Sequence, residues 1–177
     1  MRQLYGKGIE ARNAEIVSRI HKGETVLELC CGDGTLGEQI VAAGGMWRGM
    51  DASGALVGIA KRRGLDAAQK NVEVEEWGTA DVIVLIASLY QFPNPEGLIK
   101  RMKTAAKRLV LIAEPVNNLT PLEGGARRVA GMVVDAGFGP RPERFNEERV
   151  RGIFGQLGAT EIVEVANGRE RLGVFAK

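Results

Sequence analysis

The sequence predicts an α/β protein: a mostly parallel, seven-stranded sheet flanked by helices and closed by an antiparallel C-terminal hairpin. Three observations carry that expectation. Apolar runs at 25–30, 46–50, 81–87 and 108–113 alternate with stretches of helical spacing, as successive βα units require. The first run opens into a glycine-rich turn, Gly32-Asp33-Gly34, and from there directly into a helix. Near the end, residues 160–165 and 172–175 alternate in polarity on either side of Asn167-Gly168, a hairpin turn signal.

In chain order, residues 10–20 place Ile16, Val17 and Ile20 on one helical face and stop at Lys22-Gly23. The first strand, 25–30, leads to a helix over about 36–43 that Gly44-Gly45 breaks, and the second strand follows at 46–50. The next helix starts near Ser53 or Gly54, turns Leu56, Val57, Ile59 and Ala60 inward and ends at Arg62-Arg63-Gly64. A short third strand is expected over 65–69. The run Val82-Ile83-Val84-Leu85-Ile86 has the pattern of a parallel strand covered on both faces. Beyond Phe92-Pro93-Asn94-Pro95, a helix over about 96–106 precedes the fifth strand at 108–113. Prolines, glycines and arginines then loosen the pattern from 115 to 144, with a short helix expected over 125–136, before a helix over 147–157 and the hairpin.

The chain has 177 residues, 45% apolar and 26% charged, which suits one ordinary globular domain. A net charge of +2 lacks the basic excess of a dedicated nucleic-acid surface. No apolar run reaches the ~20 residues a membrane helix needs, and no apolar core follows the first basic residues, so the cytoplasm is the expected location. Cys30 and Cys31 are adjacent, and neighbouring strand side chains point to opposite faces, so no disulfide joins them. With His21 as the single histidine, they fall short of a zinc set, and no metal is expected.

The glycine turn can bring backbone close to a ligand, and the helix behind it offers unpaired N–H groups. Asp51 ends the second apolar run, where an acid can hydrogen-bond both hydroxyls of a ribose. Together these features point to an adenosine-containing cofactor.

On these residues the chain resembles the class I S-adenosylmethionine-dependent methyltransferases. Val26-Leu27-Glu28-Leu29-Cys30-Cys31-Gly32-Asp33-Gly34-Thr35 is similar to that family's first motif, acid-x-Gly-x-Gly-x-Gly: Glu28, Gly32 and Gly34 match, and Cys30 stands in place of the first glycine. The resemblance covers roughly 10–177 in architecture and 26–90 in motif. It implies a Rossmann-like three-layer sandwich, a single domain over 1–177 with 115–146 as a substrate-capping insertion, and S-adenosylmethionine as cofactor. It further implies that Glu28 organises the loop and the methionine end, directly or through water, with the loop at Cys30, Gly32 and Gly34 passing beneath the cofactor. Asp51 would bind the ribose, followed by the small residues Ala52 and Ser53. Asn71 and the N–H of Val72 would meet the adenine, and Ala87-Ser88-Leu89-Tyr90 occupies the strand end where the family's chemistry sits, with Ala87 and Leu89 along the cofactor. Tyr5, with Lys7 and Arg12, would belong to an N-terminal arm folded over the cofactor. The Asn-Pro-Pro-aromatic motif of base amino-methylation does not occur at Ala87-Ser88-Leu89-Tyr90, which speaks against that chemistry.

Two alternatives stay open on the residues. Gly32-Asp33-Gly34-Thr35-Leu36-Gly37 is also a literal G-x-G-x-x-G with Asp51 nineteen residues after Gly32, the fingerprint of an NAD(P)-binding oxidoreductase. An acid inside the first strand, the lack of further chain to hold a substrate and the terminal hairpin weigh against it. The other is a non-catalytic S-adenosylmethionine-binding regulatory protein.

Methyl transfer from a sulfonium is an in-line displacement, so positioning does much of the work, and a base is needed only where the acceptor keeps its proton until attack. The catalytic candidates at the strand ends are Tyr90 and Glu114. Each candidate has a structural alternative: Tyr90 as a core aromatic, Glu114 as a loop anchor, Asp51 as a helix N-cap, Glu28 as a loop-capping acid. Arg127, Arg128, Arg141 and Arg144 lie in the loose segment, placed to grip an anionic group by bidentate contacts. Arg62, Arg63, Arg149 and Arg151 read mostly as solvated helix faces paired with Glu143, Glu147 and Glu148. The expected acceptor is a small molecule, an anionic one included, rather than nucleic acid or a membrane; the oligomeric state is left open.

Overall fold

A computed structural model describes residues 2–116 and 144–177, with side chains from Gly8 onward. Its centre is a pair of strands, β1 (Thr25–Leu29) and β4 (Ala80–Ile86), buried on both faces. Both faces must therefore be apolar, which is why these two stretches read as near-continuous hydrophobic runs. β1 pairs in parallel with β2 (Met46–Asp51) on one side and with β4 on the other, so that Glu28 stands beside Gly49 and Val84. β3 (Ala67–Gln69) adds to β2, and β5 (Ala106–Pro115) adds to β4. The antiparallel hairpin β6 (Glu161–Val165) and β7 (Glu170–Ala176) completes the sheet through β7 on β5, giving the order β3-β2-β1-β4-β5-β7-β6.

Helices cover both faces, making the three-layer sandwich. α1 (Arg2–Ser18), α2 (Thr35–Ala42) and α3 (Gly54–Arg62) bury Ile16, Leu36, Ile40, Val57 and Ala60 against Val26, Val82, Val84 and Leu111. α4 (Pro95–Ala105) and α5 (Glu147–Gln156) bury Ile99, Met102, Ile153 and Phe154 against the opposite face at Leu27, Ile83, Leu85 and Phe175. Local sequence sets the helix starts. Asn94 Oδ1 accepts the Gly97 N–H at 2.8 Å ahead of Pro95, and Asn146 Oδ1 accepts the Arg149 N–H at 2.9 Å ahead of Glu147 and Glu148.

Several boundaries differ from expectation. The first helix begins at Arg2 rather than near residue 10. The third strand is only three residues long, and Leu65 before it packs into the core beneath α3. An unforeseen 3-10 turn, Leu89–Gln91, follows β4. Arg12, expected in an arm over the cofactor, instead sits within α1, and its guanidinium reaches both Glu170 carboxylate oxygens at 3.2 and 3.3 Å and Asn13 Oδ1 at 2.9 Å. His21 lies three residues beyond the end of α1. The helix expected over 125–136, with Arg127, Arg128, Arg141 and Glu143, lies outside the described residues, as does the Tyr5 side chain.

Gly173 shows how tightly the second core closes. Phe154 and Phe175 meet edge to face with centroids 5.7 Å apart, and a Cβ at Gly173 would come within 2.7 Å of the Phe154 ring. Gly173→Ala is expected to destabilise the protein by about 1–3 kcal/mol through overpacking. Urea denaturation followed by circular dichroism measures this; an unchanged midpoint would show that the ring moves aside freely.

Candidate cofactor-binding and active site

Glu28 is an acid placed inside the innermost strand, 4% exposed, on the sheet face covered by α1–α3. Trp47, one strand over, donates its indole N–H to Glu28 Oε2 at 2.8 Å. Burial pushes the Glu28 carboxyl up to about 8, against the pull of that N–H and of the Arg12 guanidinium; the nearby Asp33 and Asp51 charges add to the rise.

Past β1 the chain turns through three left-handed residues: Cys30 (φ 54°), Gly32 (56°) and Gly34 (79°). The position of Cys30 therefore calls for glycine, and a residue with a Cβ pays about 1–2 kcal/mol for that conformation. Burial raises both thiols, that of Cys30 to about 12, which keeps them protonated and unreactive. No cluster of three or more His, Cys, Asp or Glu suited to a metal occurs among the described residues. The two glycines do different jobs. A Cβ on Gly32 would meet nothing within 4 Å, so this stretch of backbone lies open to approach. A Cβ on Gly34 would strike Leu65 at 2.5 Å and Ala60 at 3.1 Å, so its smallness lets the loop pack against α3.

Asp51 holds this loop to the end of β2. Its Oδ2 accepts the Gly32 N–H and its Oδ1 the Ser53 N–H, both at 2.8 Å. A carboxylate offers about four lone-pair sites, so each oxygen retains capacity for a hydroxyl. The N-cap of α3 is Ser53, whose Oγ accepts the Leu56 N–H at 3.4 Å, so the helix-cap alternative for Asp51 is incorrect. Ala52 anchors through its carbonyl, which accepts from Gln69 Nε2 at 3.2 Å. Arg63, expected on a solvated face, instead pins the loop: it reaches Asp33 Oδ2 at 3.1 Å, Asp33 O at 3.2 Å and Thr35 Oγ1 at 3.2 Å. The Asp33 carboxyl is held below its usual range: burial opposes this, but hydrogen bonds from Thr35 and the Arg63 charge prevail.

Beyond β3, Asn71 Oδ1 accepts the Glu73 N–H at 2.9 Å and its own N–H goes to Glu75 Oε1 at 2.8 Å. The Val72 side chain enters the core, while its carbonyl accepts from Trp77 Nε1 at 3.0 Å and Arg101 Nη1 at 2.9 Å. Arg101 also donates to the carbonyls of Glu73 and Glu75, and its guanidinium carbon lies 3.9 Å from the centre of the Trp77 ring. One arginine of α4 thus clamps the whole 71–77 turn, a contact with no signature in local sequence.

At the end of β4, Ala87 is left-handed (φ 50°) and donates its N–H to Ala113 O at 2.7 Å. Leu89 and Tyr90 are buried in the core on the α4–α5 side, with the Arg144 guanidinium carbon 5.1 Å from the centre of the Tyr90 ring. Glu114 on β5 comes to the same place. It is 0% exposed, its Oε2 accepts the Leu89 N–H at 3.0 Å, and its Oε1 has no hydrogen-bond partner among the described residues. Burial pushes this carboxyl up to about 8, against the N–H groups of Leu89 and Tyr90 and the Arg144 charge, with Glu170 adding to the rise. Glu28, the glycine loop, Asp51, Ala87 and Glu114 all stand at or beside the carboxyl ends of parallel strands, where open α/β sheets take their ligands.

The profile of a family described as a methyltransferase domain matches residues 4–162. The chain belongs to that family. The chain is 29% identical over 94 residues to the ubiquinone biosynthesis O-methyltransferase of Paraburkholderia xenovorans (strain LB400), a match over 48% of this chain and 40% of that relative. The chain thus spans about two fifths of the length of the curated relatives it matches. Among solved structures, it superposes on magnesium protoporphyrin IX methyltransferase from Synechocystis PCC 6803 with bound SAH at a TM-score of 0.73, with 16% identity, covering 98% of this chain and 85% of that one. A SAM dependent methyltransferase from Aquifex aeolicus gives 0.67 with 18% identity, covering 94% and 89%. At such identities the likeness is one of fold: the Rossmann-like methyltransferase fold. Family membership sets aside the dinucleotide oxidoreductase. No helix among the described residues is long and apolar enough to cross a membrane.

Proposed function

We propose that the methyltransferase moves the methyl group of S-adenosylmethionine onto a small-molecule acceptor. The observation that carries this reading is Asp51, fixed by two backbone N–H groups beside a glycine whose surface is open. S-adenosylmethionine supplies an electrophilic methyl on a sulfonium. The chain's own residues then divide the work. Asp51 accepts the ribose hydroxyls with its remaining lone pairs, and Glu28 faces the methionine end. Cys30, Gly32, Gly34, Ala52, Ala87 and Leu89 line the cofactor's path, with Asn71 and Val72 at the adenine and Tyr5 over it. Glu114 takes the acceptor's proton through Oε1, with Tyr90 beside it. Residues 115–146 form the cap of a single domain over 1–177, and Arg127, Arg128, Arg141 and Arg144 there suit an anionic acceptor.

A small acceptor is supported by relatives named for ubiquinone biosynthesis and for magnesium protoporphyrin IX. The cytoplasm is the proposed location. Calorimetric titration with S-adenosylmethionine, S-adenosylhomocysteine, NAD and NADP, followed by a methyl-acceptor screen, tests the reading. Binding of the first two with a methylated product is the expected result; binding of a dinucleotide instead would overturn it.

A further inference from the structure

We infer that Trp47 is the positioning residue for the methionine end of the cofactor site, holding Glu28 through its indole N–H in a niche that Gly37 and Gly49 keep clear. The inference rests on the proposed role of Glu28 and goes beyond it. In the parallel register Val26 lies beside Trp47 and Glu28 beside Gly49, so the indole runs along the sheet surface past Gly49 to reach the acid. Both glycines are flush with the ring. A Cβ on Gly37 would lie 2.6–2.9 Å from indole atoms, and one on Gly49 would lie 2.4 Å from the ring and 2.6 Å from Cys31 Sγ.

Neither glycine has a left-handed backbone, so neither serves a turn. Gly37 sits inside a helix and Gly49 inside a strand, where glycine is disfavoured by roughly 0.5–1 kcal/mol relative to alanine. A smaller apolar side chain at position 47 would fill this core without either disadvantage. What such a side chain lacks is the N–H. The charged and titratable groups facing Glu28 are Arg12 from α1, Asp33 from the glycine loop, Asp51 from β2, and the thiols of Cys30 and Cys31. Two of these are acids that oppose its ionisation, and Arg12 is already engaged with Glu170. The indole N–H therefore orients the carboxylate and favours its charged form. Without it, the carboxyl loses its fixed orientation and its charged form, which an ammonium group would attract, is disfavoured further.

Two ligands separate this role from a general packing role: S-adenosylhomocysteine, and 5′-methylthioadenosine, which lacks the amino-acid portion. Trp47→Phe is expected to weaken the first about tenfold or more at pH 7, as loss of a hydrogen bond to a charged group does, and to leave the second within about twofold. Equal weakening of both ligands, or of neither, would overturn the inference. Glu28→Gln is the control for the underlying reading: if it spares S-adenosylhomocysteine, then Glu28 does not meet the methionine end at all.

The wild-type protein gives an answer independent of variant folding, because its two tryptophans give two indole N–H resonances. The Trp47 resonance is expected to move with S-adenosylhomocysteine and not with 5′-methylthioadenosine. A Trp47 indole that stays fixed with both would refute the inference.

Discussion

Replacing Asp51 by alanine is expected to weaken S-adenosylhomocysteine binding by about a hundredfold or more and to destabilise the protein. The carboxylate accepts two backbone N–H groups, and hydrogen bonds to a charged group contribute about 1.5–3 kcal/mol each. Truncation leaves the Gly32 and Ser53 donors unmet and frees the glycine loop from β2. A stability loss of about 2–4 kcal/mol corresponds to a fall in melting temperature of roughly 5–15 °C for a chain of this size. Asp51→Asn, with one acceptor oxygen and an amide nitrogen facing a donor, should fall between the two. Calorimetry with S-adenosylhomocysteine and differential scanning calorimetry give both numbers. Undiminished affinity in the alanine variant would place the ribose elsewhere.

The second large effect concerns Glu114. Glu114→Gln is expected to lower kcat by about 10²–10⁴, the usual contribution of a positioned base, with cofactor affinity nearly unchanged. Because burial holds this carboxyl at about 8, its ionised fraction grows through neutral pH. The wild-type rate should rise from pH 6 to pH 8, and the variant should lose that limb. A pH–rate profile identical in both proteins would remove Glu114 from the proton path.

The same burial reverses the usual pH dependence of stability. Glu28 and Glu114 are both raised from an ordinary value of 4.5 to about 8. Between those values the folded protein holds protons that the unfolded chain has released, so this contribution is full below pH 4.5 and is lost as pH rises through 8. Asp33, held low by hydrogen bonds from Thr35 and then by Arg63, and Glu24, held low by Arg108 and the His21 N–H, act in the opposite sense and lose their contribution in acid.

Much of the fold was legible because the central strands are covered on both faces and must be apolar throughout, and because Asn167-Gly168 sits in a turn with left-handed backbone at both residues. The glycine loop was legible for a related reason, because its left-handed backbone restricts which residues can occupy it, and Asp51 was legible as an acid ending an apolar strand. The first half of α1 was hidden by Gly6 and Gly8, which are poor helix formers. The partners of Glu28 and Asp33 were hidden because they depend on register. Trp47 meets Glu28 only through the alignment of β1 with β2, and Arg63 meets Asp33 only once α3 has packed beside the loop. Tyr90 and Glu114 were visible as strand-end residues, but that the Leu89 N–H binds the carboxyl could not be read before β4 and β5 were aligned.

Arg12 and Glu170 are 158 positions apart, yet they close a two-oxygen contact beneath α1. Gly8 lies against Ala166, and Arg19 reaches Glu161, so the seat of this helix includes the hairpin at the far end of the chain. That seat does not exist until β7 has paired with β5. Contacts of such long sequence separation are made late, after the entropy of the intervening chain has been overcome by nearer pairings. α1 is thus among the last elements of the described fold to gain its full set of contacts, its hairpin side closing after Ile16 has met the central strands.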